Sequence, residues 1–321
     1  MMSLAEQLQH GVAALSRGDL PTAEEHFRNA IELDPDNANA HNNLGFTLAQ
    51  QQQWQPALIH LRSALSLDPD SSMAHCNIGQ VLIATGETNA GMTHIESAVE
   101  KNPENAIAWD ALARFRVLAA DFTTAEYAAQ RAIGIAPEES SFYVRLGITQ
   151  AAQKRFKDAL SQYQRALNLN PTNSEAWAQA GITSFMMNNI GDATEALRRA
   201  LTLNPADTNA RRHLALALLT QGDKDAAIGH FRAILDQTPD DQGAILELAV
   251  LYISEHRNVE ARESLSSLSS TAQQSPRCRY YHGLLLQREG LVDEAEEVLD
   301  ALSQENNDYA EKASKLIRTV H

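Results

Sequence analysis

Small and large apolar residues return along this chain at one fixed interval. Counted from Leu4, Ala38, Ser72, Ala106, Ser140, Ser174, Thr208, Gln242 and Pro276, nine stretches of 34 residues align without insertion or deletion. Position 7 is large and apolar in Leu44, Ile78, Leu112, Leu146, Leu214 and Leu248. Position 24 is large in Phe27, Leu61, Ile95, Tyr163, Leu197, Phe231, Leu265 and Leu299. Position 8 is glycine or alanine throughout, from Gly11 to Gly283, and so is position 20, from Ala23 to Ala295. A glycine inside a helix costs up to about 1 kcal/mol against alanine, so its recurrence needs a packing reason. The pattern predicts two antiparallel helices per repeat, which approach closely where the small faces of positions 8 and 20 meet. A fixed period of this size means stacked helix pairs rather than one central core.

Each helix has its own stop signal. Position 15 holds Gly18, Gly86, Gly222, Gly290 and Asn188, residues that accept a left-handed helix end. Position 32 holds Pro35, Pro69, Pro103, Pro137, Pro171, Pro205 and Pro239, and a proline restrains the residue before it to an extended state. The last two repeats carry Gln273 and Asn307 there, while Ala249 and Gly283 at position 8 and Ala261 and Ala295 at position 20 keep the register. Beyond them Ala313, Leu316, Ile317 and Val320 follow helical spacing. They predict a capping helix over 310–321, needed because the end of a stack otherwise exposes the apolar side meant for a neighbour. No equivalent helix precedes Leu4, so that end is expected to be less protected and is a candidate surface for self-association.

With Trp109, Tyr143 and Trp177 at position 4 added to these leucine, glycine, alanine, aromatic and proline positions, the chain resembles the tetratricopeptide repeat family. The likeness covers residues 4–309. It implies an all-α fold, a right-handed superhelical solenoid of nine helix-turn-helix repeats over 1–309 followed by the capping helix. It also implies a concave groove lined by the first helix of each repeat and used to bind peptides or other proteins.

Composition narrows the partners. The chain has 41 acidic and 26 basic side chains, a formal net charge of −15, which argues against nucleic acid, whose phosphates draw on clustered Lys and Arg. Between Glu289 and Glu311 lie nine acidic residues and no Lys or Arg, a run that reads as a solvated face. Cys76 and Cys278 are far apart in a periodic rod, which fits reduced thiols and a cytoplasmic setting. The N-terminus lacks the basic and apolar regions of a secretion signal, and no window approaches 18 consecutive apolar residues, so no membrane span is expected.

Catalytic signatures are missing: there is no phosphate loop, no GxSxG elbow and no closely spaced Cys and His set. Histidine does recur, at position 23 in His26, His60, His94 and His230 and at position 4 in His41 and His75. Like positions of neighbouring repeats stand on the order of 10 Å apart, whereas a zinc ligand comes within about 2.1 Å of the metal. No metal and no cofactor is therefore expected.

By the family resemblance, positions 2, 5, 6, 9, 12 and 13 of each first helix face the groove. In the second and third repeats they include Asn39, Asn42, Asn43, Phe46, Asn77 and Gln80, and amides both donate and accept, which suits a ligand held by its main chain. Asn43 and Asn77, both at position 6, resemble the start of the asparagine ladder of O-linked N-acetylglucosamine transferases, which here breaks at Ala111, Arg145, Gln179 and His213. Midway along, Asp110 and Arg114 are one helical turn apart and can pair. With Arg116 and Arg145 they form either an internal salt bridge or a polar station for a carboxylate. From there positions 9 and 12 become apolar, in Ile148, Ile182, Phe185, Leu216, Leu219, Val250 and Ile253, which predicts a hydrophobic contact for an amphipathic helix. The Lys and Asn with which chaperone-tail binders of the family grip a terminal carboxylate are absent from positions 5 and 9, although Arg114 or Arg212 offers another way to hold one.

The reading is a non-catalytic scaffold or adaptor that holds a protein or peptide segment in its groove, polar in its first half and apolar in its second. Two alternatives stand beside it: a homo-oligomeric assembly scaffold, and a regulatory or substrate-recruiting subunit of a separate enzyme.

Overall fold

The computed structural model describes residues 2–318, and among them it contains twenty helices and no strand. The chain divides into two compact bodies, Met1–Pro171 and Thr172–His321. Val320, expected in the cap, lies outside the described residues.

The N-terminal body is five helix pairs. They are α1 (Leu4–Ser16) with α2 (Leu20–Leu33), α3 (Ala38–Gln50) with α4 (Trp54–Leu67), α5 (Ser72–Ala84) with α6 (Thr88–Lys101), α7 (Ala106–Leu118) with α8 (Phe122–Ile135), and α9 (Ser140–Ala152) with α10 (Phe156–Leu169). The C-terminal body continues the alternation. It has α11 (Ser174–Met186) with α12 (Ile190–Leu203), α13 (Thr208–Thr220) with α14 (Lys224–Leu235), and α15 (Gln242–Ser254) with α16 (Asn258–Ser267). The short α17 (Ser270–Gln273), α18 (Pro276–Arg288) with α19 (Val292–Ser303), and α20 (Ala310–Arg318) follow. Every first helix starts at the first residue of its 34-residue repeat. Within each body successive first helices pack side by side, as α3 does with α5 and α11 with α13.

Capping chemistry explains those starts. The residue before each first helix is Ser3, Asn37, Ser71, Asn105, Glu139, Asn173, Asp207, Asp241 or Ser275, and each side chain accepts from a backbone N–H of the first turn. Before the prolines Asp34 and Asn102 are extended, at φ −145° and −141°, as the ring of the following residue demands. The eighth repeat lacks that proline. There α16 stops after ten residues, and the side chain of Gln273 donates to the carbonyl of Leu268 at 2.9 Å, tying the shortened end to α17.

Position 15 is left-handed in all nine repeats, not only where glycine or asparagine stands. Gln52, Ala120, Lys154 and His256 have φ between 56° and 61°, beside 62° for Asn188 and 74° for Gly18. Packing of the two helices thus imposes the turn on residues that disfavour it. The interior of the pair adds one detail to the sequence pattern. Position 8 meets position 20 as expected, most closely in the third repeat, where a Cβ on Gly79 would lie 2.7 Å from Gly91 O, but the contact is not small on small alone. Position 8 is also a notch filled by the large side chain of position 24: a Cβ on Gly45 would lie 2.6 Å from Leu61 Cγ, and one on Gly181 2.6 Å from Leu197 Cγ. The carbonyl of position 20 stands beside it, Ala57 O at 3.0 Å and Ala193 O at 3.1 Å. Large and small are thus complementary across the pair, which is how interiors reach crystal-like density.

The C-terminal helix α20 seats Ala313, fully buried, against Leu299 and Leu302, with Tyr280, Tyr309, Leu316 and Ile317 packed around them. Among the described residues no helix is long and apolar enough to cross a membrane.

Candidate functional site

In the N-terminal body the first helices carry a ladder of polar contacts that joins the second repeat to the third, the third to the fourth and the fourth to the fifth. Asn77 donates to Asn42 Oδ1 at 2.9 Å, and Asn42 in turn to Asn43 Oδ1 at 3.4 Å. One repeat on, Arg114 donates to Gln80 Oε1 at 2.9 Å. After that Arg145 meets Asp110 at 3.0 Å, with both side chains about four-fifths buried. These partners are 34 or 35 residues apart, so positions 5, 6 and 9 of neighbouring first helices face one another laterally. The midway charges therefore form inter-repeat contacts. Arg116 leaves the inner layer altogether, reaching Glu96 on α6 and Asp121 at 3.5 Å.

The ladder alters what the amides can offer. Asn42 and Asn77 are 8% and 5% exposed and bond to each other, so they brace the repeats before they meet a ligand. Asn39 is exposed, and Asn43, Phe46 and Gln80 are half-buried. Behind Gln80, whose amide donates to Cys76 Sγ at 3.3 Å, burial pushes the Cys76 thiol up from its ordinary pKa, which keeps it protonated and unreactive.

Above these rungs lies a cavity of about 470 Å³, within the size range of ligand sites. Its walls come from α3, α5 and α7, in Phe46, Gln80 and Arg114, all at position 9, with Asn77 and Phe115, and from the first residue of α4, Trp54. Arg114 also lies over the Phe115 ring, 4.6 Å from its centroid. Aromatic rings and amide and guanidinium groups thus line the same cavity. The spacing that makes this cavity was legible as position 9. The contributions of Trp54 and Phe115, at positions 17 and 10, were not, because neither position is assigned to the groove by the resemblance.

The C-terminal body treats the matching positions differently. Ile182, Leu216 and Leu219 are half-buried and pack against the hydrophobic core. Ile253 is 2% exposed and belongs to that core, which corrects its assignment to the groove: position 12 in this repeat points inward. Phe185 is half-buried and meets the His213 ring edge-on at 6.4 Å. Val250 is half-buried, as is Ile148 in the N-terminal body. Arg212 pairs with Asp241 at 2.5 Å, the residue that caps α15, so its charge already has a carboxylate. Arg277 and Glu247 form a two-pronged pair at 2.8 and 2.9 Å. The acidic run is likewise partly answered, Glu289 by Arg262 and Glu305 by Arg279. Several well-exposed apolar side chains on inner positions escaped the sequence reading: Met73, Ile107 and Leu118 in the N-terminal body and Met186 in the other. They occupy positions 2 and 13, which the family resemblance also turns to the groove.

Position 4 does a separate job. Trp109 Nε1 donates to Pro103 O at 2.8 Å, Tyr143 to Pro137 O at 3.0 Å, His41 Nε2 to Pro35 O at 3.0 Å, and Arg211 to Pro205 O at 2.5 Å. In these four repeats the first helix thereby clasps the proline turn that precedes it, with four different donor side chains.

Family models described as TPR repeat and tetratricopeptide repeat match residues 11–52, 38–71, 76–140, 140–173, 185–242 and 218–287. No curated protein sequence matches the chain. Among solved structures, a tetratricopeptide repeat protein from Parabacteroides merdae is 18% identical, over 77% of this chain and 98% of its own, with a TM-score of 0.59. The human IFIT1 dimer with PPP-AAAA is 19% identical, over 94% of this chain and 72% of its own, at 0.69. PilF of Pseudomonas aeruginosa is 17% identical, over 66% and 97%, at 0.53. At such identities the likeness is one of fold.

Proposed function

Since the chain belongs to the tetratricopeptide repeat family, whose fold supports protein interaction in general, we propose that it is a non-catalytic scaffold that holds a peptide segment of a partner protein over the first helices of its N-terminal body. The observation that carries this reading is the cavity walled by Phe46, Gln80 and Arg114 from three successive repeats. Its aromatic rings suit an apolar side chain of the segment, and the amide and guanidinium groups suit the adjoining main chain. The half-buried apolar positions of the C-terminal body, Phe185 and Leu216 among them, offer a second, shallower contact for the same partner.

Affinity capture from native lysate tests the assignment with two double variants. Phe46→Asp with Arg114→Glu is expected to lose the captured partner while retaining the helical circular dichroism of the wild type. Phe185→Asp with Leu216→Asp is expected to weaken capture less. Loss in the second variant alone moves the site to the C-terminal body, and unchanged capture in both removes the groove from the account.

A further inference from the structure

The histidines of the second and third repeats are arranged in a way that comparing like positions between repeats does not reveal. Within one repeat, position 4 of the first helix faces position 23 of the second. His41 Nδ1 lies 3.1 Å from His60 Nδ1, and His75 Nδ1 lies 3.1 Å from His94 Nδ1. The ring centroids are 5.3 and 5.2 Å apart, so two successive helix pairs repeat one geometry. The first repeat does not share it: His10 and His26 stack face to face, and His26 Nδ1 is turned to Gln7 Oε1 at 2.7 Å.

Two imidazoles facing through the same kind of nitrogen either share one proton or share a cation. At about 2.0–2.1 Å to each nitrogen a tetrahedral ion spans roughly 3.3–3.4 Å between them and a tetragonal one roughly 2.8–3.0 Å, so the observed pairs lie between the two bites. His41 also shows the posture of a metal-bound histidine. Its Nε2–H donates to the Pro35 carbonyl, which fixes the tautomer and leaves the Nδ1 lone pair directed at His60. Among the described residues no cluster of three or more His, Cys, Asp or Glu gathers, so water would complete the coordination and the affinity is that of a two-imidazole chelate.

We propose that His41 with His60, and His75 with His94, are two equivalent two-imidazole sites for a divalent transition-metal ion, with Cu²⁺ held more tightly than Zn²⁺ or Ni²⁺. Burial, and then the facing ring, lowers the pKa of His60 and His94, which favours the neutral form a metal requires. The charged groups nearby are Glu24 and Arg28 beside His60 and Arg62 beside His94.

The test is a Cu²⁺ titration of the full chain near neutral pH, followed by calorimetry and by the nitrogen hyperfine pattern of the bound ion. His60→Gln and His94→Gln are each expected to remove one equivalent, and the double variant two. His41→Gln and His75→Gln are expected to do the same from the first-helix side, which keeps the test open if one variant folds poorly. Zn²⁺ is expected to raise the melting temperature of the wild type and not that of the double variant. Equal Cu²⁺ stoichiometry in wild type and double variant overturns the proposal and leaves the pairs as shared-proton hydrogen bonds.

Discussion

The inner layers of the two bodies follow one register but divide it differently between polar and apolar contacts. In Met1–Pro171 polar side chains at positions 5, 6 and 9 answer one another from repeat to repeat, Asn42 to Asn77, Gln80 to Arg114 and Asp110 to Arg145. In Thr172–His321 positions 5 and 9 are mostly apolar, with Ala178 at 3% exposure and Ile182 and Leu216 packed against the core, while the inter-repeat pairs Arg212 with Asp241 and Glu247 with Arg277 each take one partner from outside positions 5, 6 and 9. Polarity in the sequence is therefore a poor guide to what a partner can touch. Buried amides brace the polar layer while Leu118 and Ile107 stand exposed among them at 76% and 51%. The layer that reads as apolar hides much of its apolar surface. Directional hydrogen bonds specify which groups meet, and loss of one partner leaves the other unsatisfied. Apolar contacts tolerate exchange at similar volume.

The deepest features should not distinguish the bodies. Phe27 and Phe231, each fully buried at position 24, are expected to cost about 3–5 kcal/mol apiece when changed to alanine, measured by urea unfolding. A clearly smaller loss at one of them breaks the premise that both bodies share one core.

The rungs should separate the bodies. Asn77→Ala strands Asn42 Oδ1 in a buried layer and is expected to cost about 1–3 kcal/mol. Replacing Asn42 and Asn77 together by leucine converts the rung to an apolar contact and is expected to recover most of that loss. A double-mutant cycle reads the coupling, and an additive result removes the rung as a stabilising contact.

The fold was legible because its signals are local and repeat many times. Glycine and alanine at position 8, the large residue at position 24 and the proline at position 32 each carry a backbone or volume requirement that survives in isolation. The starts of all nine first helices followed from them. The site was legible only as a set of positions. Asn42 and Phe46 look equally available in the sequence, yet one is a brace and the other a wall of the cavity. That distinction depends on which side chain of the neighbouring repeat lies within 3 Å. Trp54 and Phe115 enter the cavity from positions that nothing in one repeat marks as inward. Ile253 was misplaced for the converse reason, since an apolar residue at a groove position has the same letter whether it faces a partner or the core.

The smallest of the expected effects concerns the shared turn. Ala120 holds a left-handed backbone at φ 56°, and Ala120→Gly is expected to stabilise the N-terminal body by about 0.5–1 kcal/mol. The reciprocal change Gly222→Ala, at φ 86°, should lose about as much from the C-terminal body. The two midpoints in urea check the pair, and a destabilising Ala120→Gly shows that the turn is not strained.

The clasp from position 4 to the preceding proline carbonyl has a consequence for how such a chain lengthens or shortens. A cut at a helix start, the natural place to divide the alignment, separates Pro103 from Trp109 or Pro137 from Tyr143 and replaces each with whatever the new junction supplies. Because histidine, tryptophan, tyrosine and arginine all make the bond, a junction among these four repeats restores it. Duplication and deletion of these repeats is thereby made forgiving, and a lineage can change the length of the stack while leaving the seam between repeats closed.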